Sequence, residues 1–396
     1  MQKKKLGGPV IVAGGGIGGT ATAVALAQAG IEVLILEQAS ELREAGIGIQ
    51  MPPNAFKVFD RLGLVVAMLK KAACPDDLVF MDALSGEQII RIPVDDEFLA
   101  DFKYPYALMH RGDLLEVLAQ ACRESDRIAI RTSSRVTGFR QEGGRVTVRT
   151  EDGAYHEGAA LVGSDGLWST MRRELVGADR PRTENYIIFR GVVPADQMPE
   201  LEFANAVVMW GGPELNFSHY PMRSGSYFAL GASVKSALAL DQGVSNLGVA
   251  DGARELRERF GVVCPAIARL LDKIDVDRMW TLHDREPIKH WSQGNVTLLG
   301  DAAHPTFNYM AQGACMALED AVCLADCVTQ ADSYEQAFKA YQQARYLRTA
   351  RVQLTSRMYG ELYHAKGVQA DLRNALLSRT TAAQARQHLS WLFSGI

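Results

Sequence analysis

The sequence predicts an α/β fold whose main sheet is fed from both ends of the chain, and three features carry that prediction. The apolar run Val10-Ile11-Val12-Ala13 leads into Gly14-x-Gly16-x-x-Gly19, an alanine-rich helical stretch and a second apolar run ending in Glu37. Far along the chain, residues 296–299 form another apolar run that ends in Gly300-Asp301 and precedes Gln312-Gly313 and a small-residue helix. Between them, the central third alternates apolar and aromatic residues in the rhythm of a sheet. Strand, tight turn and helix in succession make a βα unit, and two such units serving one ligand require a fold that brings them together.

With 396 residues the chain suits two closely packed domains or one large layered domain. Its 47% hydrophobic and 22% charged content is ordinary globular material. A net charge of -4 supplies no long-range positive field for nucleic acid or an acidic bilayer, although a local cation could still hold a small anion. The six cysteines are dispersed without a CxxC, which suggests neither a zinc site nor a disulfide scaffold. Cys315, Cys323 and Cys327 read as small residues on one packed helical region. The basic start has no cleavable apolar segment behind it, and no apolar run reaches about 20 residues, so a soluble, reducing, cytoplasmic setting is expected.

Taken in order, the first glycine of the motif allows the turn, the second admits a pyrophosphate, and the third lets helix and strand pack closely. Free N–H groups and the helix dipole would face the phosphates. Glu37 is placed to accept both hydroxyls of an adenosine ribose and repels a 2′-phosphate, so FAD or NAD is expected rather than tightly bound NADP. A second glycine stretch, residues 43–50, interrupts the simple crossover of a nicotinamide dehydrogenase. It fits backbone threaded past a large cofactor, or an ordinary loop.

Residues 78–93 alternate around Ser85-Gly86 as a hairpin. Arg111 precedes a helix, within reach of a phosphate or ribose or of a surface acid. Further hairpins are expected around Gly143-Gly144 and Asp152-Gly153. Asp165, in Gly163-Ser164-Asp165-Gly166, can cap a helix, accept from a cofactor, or do both. In the central third, Asn216, His219 and Tyr220 stand on an aromatic wall that is either core or the side of a pocket for a flat molecule. A strand turns His219 away from Tyr220, and the reading calls for a bulge to bring Asn216 and Tyr220 together. From Tyr334 onward the chain is helical, with Arg345, Arg348 and Arg357 expected on solvated basic faces.

These motifs, in this order and over nearly the whole chain, resemble the FAD-dependent aromatic hydroxylases, the single-component flavoprotein monooxygenases. The resemblance implies a glutathione-reductase-like Rossmann domain for FAD built from residues 1–182 and 277–330. It also implies an inserted mixed-sheet substrate domain at 183–276 and a helical region at 331–396. It assigns FAD contacts to Gly14, Gly16, Ile17, Gly19, Glu37, Gln38, Arg43, Gly48, Arg111, Asp165, Gly166, Asp301, Pro305, Gly313 and Ala314. Asp301 would meet the ribityl and pyrophosphate region, and Pro305 would lie beside the isoalloxazine.

NADH, with NADPH left open, would bind transiently and reduce FAD. Oxygen would then give a C4a-hydroperoxide that hydroxylates a small phenolic or hydroxypyridine carboxylic acid ortho or para to its hydroxyl. The likeness is greatest to the branch acting on 3-hydroxybenzoate, through residues 104–111 and 284–288 and the terminal helices. In that branch a histidine, a tyrosine four residues later and a glutamine after the Gly-Asp motif line the pocket. Their matches here are Asn216, Tyr220 and Asn308, so only the tyrosine is kept. Asn216 cannot take a proton as imidazole does, which leaves His219, Tyr220 and His304 as candidates for handling it. Decarboxylating salicylate hydroxylation, hydroxynicotinate or hydroxypicolinate oxidation, and a non-catalytic flavin-binding partner stay open as alternatives. A homodimer is expected by family analogy.

Overall fold

The computed structural model describes residues 7–43, 47–237, 244–246 and 249–395. The basic start at 1–6 and Glu44-Ala45-Gly46 of the second glycine stretch lie outside them. Val10–Ala13 is the inner strand of a six-stranded sheet, parallel to Val33–Leu36 on one side and to Ala160–Gly163 on the other. All four of its residues are buried, as expected of a parallel strand covered on both faces. Ile128–Arg131 and Val296–Leu298 continue the sheet outward, and Ser292–Gln293 closes one edge antiparallel. Residues from opposite ends of the sequence thus end at the same rim.

The glycine turn has a steric cause. Gly14 holds φ at +108°, and a Cβ there would sit 2.4 Å from the Ser164 carbonyl oxygen. A Cβ on Gly19 would lie 1.9 Å from the Gly14 carbonyl oxygen, so no side chain fits between the turn and the helix Ile17–Gln28. That helix is almost wholly buried, with small residues facing its neighbours.

The second large sheet has eight strands among the described residues. Arg182–Pro194, Ala206–Gly212, Leu215–Met222 and Tyr227–Lys235 come from the expected central segment, but the sheet extends beyond 183–276 on both sides. Asp77–Asp82, paired with Gln88–Pro93 in the early hairpin, runs parallel to Ala206–Gly212 with Asp77 opposite Ala206. Asp275–Asp284 pairs with Arg182–Pro194 on the other side. One face is sealed by Ile187, Phe189 and Phe217 against Leu256, Ile267 and Leu270 of the helices Val249–Arg259 and Pro265–Leu271, with Phe260 just after the first. The opposite face looks onto the rim of the first sheet.

Two smaller units complete the sheets. Val136–Glu142, Arg145–Thr150 and Tyr155–Gly158 form the expected antiparallel hairpins, and Gly48–Met51 pairs with Ala107–His110. The three helices Tyr334–Tyr363, Val368–Leu377 and Ala382–Phe393 end the chain. Their arginines correct the expectation of solvated basic faces. Arg345 is 0% exposed and donates to Asp320 at 2.6 Å, Arg348 donates to Glu319 at 2.6 Å, and Arg357 donates to Asp284 at 2.6 Å. An apolar-periodicity reading cannot find such pairs, because their partners lie on other elements. Among the described residues no helix is long and apolar enough to cross a membrane, and no cluster of His, Cys, Asp or Glu could hold a metal.

Candidate active site

A cleft of about 380 Å³ opens between the rim of the first sheet and the free face of the second. Two helices point their first turns into it. Gly16, which has no side chain, caps Ile17–Gln28, and Gln312 caps Gly313–Gln330 without bonding the free N–H groups behind it. Gly16, Ile17, Gly18, Asp301, Gly313 and Ala314 all line the cleft. Unsatisfied N–H groups and the positive end of each helix dipole suit these ends to an anion. Thr306 Oγ1, Tyr309 Oη and Gln312 Nε2 are buried without a hydrogen-bond partner, and all three residues line the cleft. Buried polar groups left unpaired are costly, so the donor set fits a long, polar, phosphate-bearing cofactor such as FAD.

The candidate cofactor residues occupy this rim unequally. Glu37 ends its strand beside the turn, accepting from Gly15 N at 2.6 Å and Ala39 N at 2.8 Å. Gln38 is exposed next to it, and Arg43 is exposed and paired with Glu41 at 3.3 Å. Gly48 lines the cleft from the small sheet, and Arg111 from the start of the helix Arg111–Arg123 that follows it. A Cβ on Gly48 would fall 2.6 Å from Tyr220 Oη, so the two sheets approach there only because residue 48 has no side chain. Gly166 lines the cleft, while the Asp165 carboxylate accepts from Ser169 Oγ, Thr170 N at 2.7 Å and Met171 N at 3.1 Å. Burial raises its pKa despite these bonds. Pro305 is buried and does not line the cleft, its carbonyl accepting from Gln353 Nε2 at 2.9 Å.

The Gly300-Asp301 turn is anchored from behind. Asp320 accepts from Gly300 N at 3.0 Å, His304 Nε2 at 2.7 Å and Arg345 Nε at 2.6 Å. His304 is therefore packed under the turn, against Trp291, and does not line the cleft. The charges of His304 and Arg345, with the Gly300 N–H, outweigh burial and hold the Asp320 carboxyl well below the usual range.

On the substrate-facing sheet, Asn216, Ser218 and Tyr220 alternate into the cleft. The register from Leu215 to Met222 is unbroken, so no bulge intervenes, and four residues apart already means one face. His219 points to the other side. It is buried among Trp210 and Phe217, accepts from Trp210 Nε1 at 3.3 Å, and is driven down to about 4 by desolvation. Asn308 lines the cleft from the turn Asn308–Met310.

Two residues escaped the sequence reading. Arg190 lines the cleft with its guanidinium 4.9 Å from the Trp280 ring centroid, and no hydrogen bond or ion pair joins it to another described residue. Desolvation lowers it to about 10, which still leaves it charged at neutral pH. The signal was there in the alternation, since Arg190 stands two residues from the inward-facing Ile188. His364 gave no local signal. It bonds Asn216 from 148 residues away.

A family model described as FAD binding domain matches residues 8–355. The 3-hydroxybenzoate 6-hydroxylase of Polaromonas naphthalenivorans (strain CJ2) is 41% identical over 97% of this chain and 95% of the relative. The chain belongs to the FAD-dependent aromatic hydroxylases. The hydroxylase is also 31% identical to the 6-hydroxynicotinate 3-monooxygenase of Bordetella bronchiseptica (strain ATCC BAA-588 / NCTC 13252 / RB50), over 88% of this chain and 90% of that one. Among solved structures, Klebsiella pneumoniae HpxO complexed with FAD and uric acid superposes with a TM-score of 0.87 at 25% identity, covering 100% of this chain and 99% of that chain. The Rossmann-type sheet, the two uncapped helix ends and the unpaired donors fit the FAD that a hydroxylase of this family carries.

Proposed function

We propose that the hydroxylase uses NADH and oxygen to hydroxylate a small phenolic carboxylic acid ortho or para to its hydroxyl, with 3-hydroxybenzoate to 2,5-dihydroxybenzoate as the specific case. The observation that carries this reading is the company Arg190 keeps. One unpaired cation stands beside the uncharged polar groups of Asn216, Ser218, Tyr220 and Asn308 on the wall of the cleft. That set matches a ring bearing one carboxylate and one hydroxyl. The substrates in the names of the relatives support the same class.

FAD, when bound, supplies the exchange of electrons between NADH and oxygen that ring hydroxylation needs. In our reading the glycine turn and Gly313-Ala314 hold its phosphates, Glu37 its adenosine ribose, and Asp301 its ribityl chain. Gln38, Arg43, Arg111, Gly166 and Pro305 complete the cofactor set. Arg190 takes the substrate carboxylate. Asn216, Asn308 and Tyr220 orient the phenol, and Ile188, Met209 and Phe307 keep water from the ring. Neither His219 nor His304 reaches the cleft, so we assign the phenol's ionisation to donors that stabilise its anion rather than to an imidazole base. We include a homodimer, supported by Leu347, Leu354 and Met358 along one exposed stripe of Tyr334–Tyr363.

The test is a panel of hydroxybenzoates, hydroxynicotinates and hydroxypicolinates, followed for NADH oxidation, oxygen use and product mass. A yellow protein whose NADH oxidation accelerates with a hydroxybenzoate, giving a dihydroxy acid, is the expected result. A protein that cannot be loaded with FAD, or that no aromatic acid stimulates, would sink the proposal. Loss of the carboxylate would replace it with a salicylate-type reaction.

A further inference from the structure

Asn216 is ambiguous as a ligand group, because one end of its amide donates and the other accepts. The hydroxylase removes that ambiguity from outside the cleft. Asn216 Oδ1 lies 2.8 Å from His364 Nε2, and Asn216 Nδ2 lies 3.5 Å from Met209 Sδ. His364 follows the last turn of Tyr334–Tyr363 and is clamped there. The Tyr186 ring stacks on it at 3.9 Å with 8° between planes, and the Tyr309 ring meets it edge-on at 5.3 Å.

Burial drives His364 down to about 3, against the attraction of Glu214 and with the repulsion of Lys235. Glu214 is itself tied to Lys235 at 3.2 Å and Lys366 at 2.9 Å. The imidazole is therefore neutral and has one N–H. A carbonyl oxygen only accepts, so that proton sits on Nε2.

We propose that His364 is a positioning residue that locks the Asn216 amide with its N–H end toward the cleft, so that Asn216 stabilises the ionised phenolic oxygen of the substrate. This rests on the phenolic carboxylate reading above. The other charged or titratable groups lining the cleft wall are Arg190, Arg111, Tyr220, Asp301 and Tyr309. With the amide's accepting end turned to His364, its donating end favours phenolate over phenol, which lowers the phenol's pKa from its free value of about 10.

The experiment titrates 3-hydroxybenzoate on the holoenzyme by ultraviolet difference spectra. In the unaltered protein the bound phenol should ionise below its free value. His364→Phe should raise that midpoint by about one unit at unchanged FAD content, and His364→Gln, which keeps a donating N–H, should recover part of the shift. An unchanged midpoint in His364→Phe overturns the proposal, as does a bound phenol that ionises above its free value, since the carbonyl would then face the ring. A second measurement needs neither substrate nor a stable Phe variant. In nitrogen-15 histidine spectra of the holoenzyme, the signal missing from His364→Gln should be neutral and Nε2-protonated down to pH 5. An Nδ1-protonated or charged ring there overturns the dyad. Failure of 3-hydroxybenzoate to bind while this signal is found would instead count against the substrate reading.

Discussion

Tyr220 meets the cleft as a protonated hydroxyl near neutral pH, because burial pushes it up to about 12 against the smaller pull of Arg190. It can donate to a phenolic oxygen but cannot act as its base. Tyr220→Phe should therefore bind FAD normally while product formed per NADH falls roughly 3- to 10-fold, the worth of one hydrogen bond. Peroxide assays alongside product counting check this, and unchanged coupling would assign Tyr220 to packing. Arg190 offers a sharper contrast. In Arg190→Met the KM for 3-hydroxybenzoate should rise about 10- to 100-fold, the range for a bond to a charged group, while the uncharged 3-hydroxybenzamide is little affected. Equal effects on both, or loss of FAD, would move Arg190 to the cofactor.

At the level of elements, the Gly300-Asp301 turn is held in place by the helices behind it. Asp320, wholly buried, joins that turn to Tyr334–Tyr363 through Arg345 and to His304. Because its folded pKa lies below the unfolded value, the stability it contributes is complete above about pH 4 and is lost as pH falls toward the folded value. Asp320→Asn leaves Arg345 short of one counter-charge and should cost about 3–5 kcal/mol at pH 7. Urea melts of both proteins should converge as the pH drops below 4; a constant gap would show that the charge of Asp320 is not what matters. The motif ends of this element were legible in the sequence, since Gly300-Asp301 and Gly313-Ala314 are local patterns with local consequences. Its supports were not. Arg345 and Arg348 looked like solvated residues because periodicity reports which face is apolar, and says nothing of acids buried opposite on another helix. His304 looked reactive for the same reason.

For the molecule as a whole, the parallel sheet and its glycine turn were readable because each glycine answers a contact within a few residues or one strand away. The larger sheet was readable only in its middle, since the pairing of Asp77–Asp82 with Ala206–Gly212 joins segments that share no local signal. The proposed active site lies where the two sheets meet, so its least legible proposed members, Arg190 and His364, are those that depend on both. The alternation did place Asn216 and Tyr220 on one face, and the expected bulge was unnecessary.

In the proposed reaction this cleft inserts one oxygen atom from O2 into a phenolic acid that keeps its carboxylate. Turnover of 3-hydroxybenzoate with NADH under oxygen-18 gas, with the product weighed by mass spectrometry, tests it most directly. The expected product is 2,5-dihydroxybenzoate carrying a single oxygen-18, in the newly added ring hydroxyl. NADH oxidation that yields only peroxide, or a labelled product that has lost carbon dioxide, would contradict it.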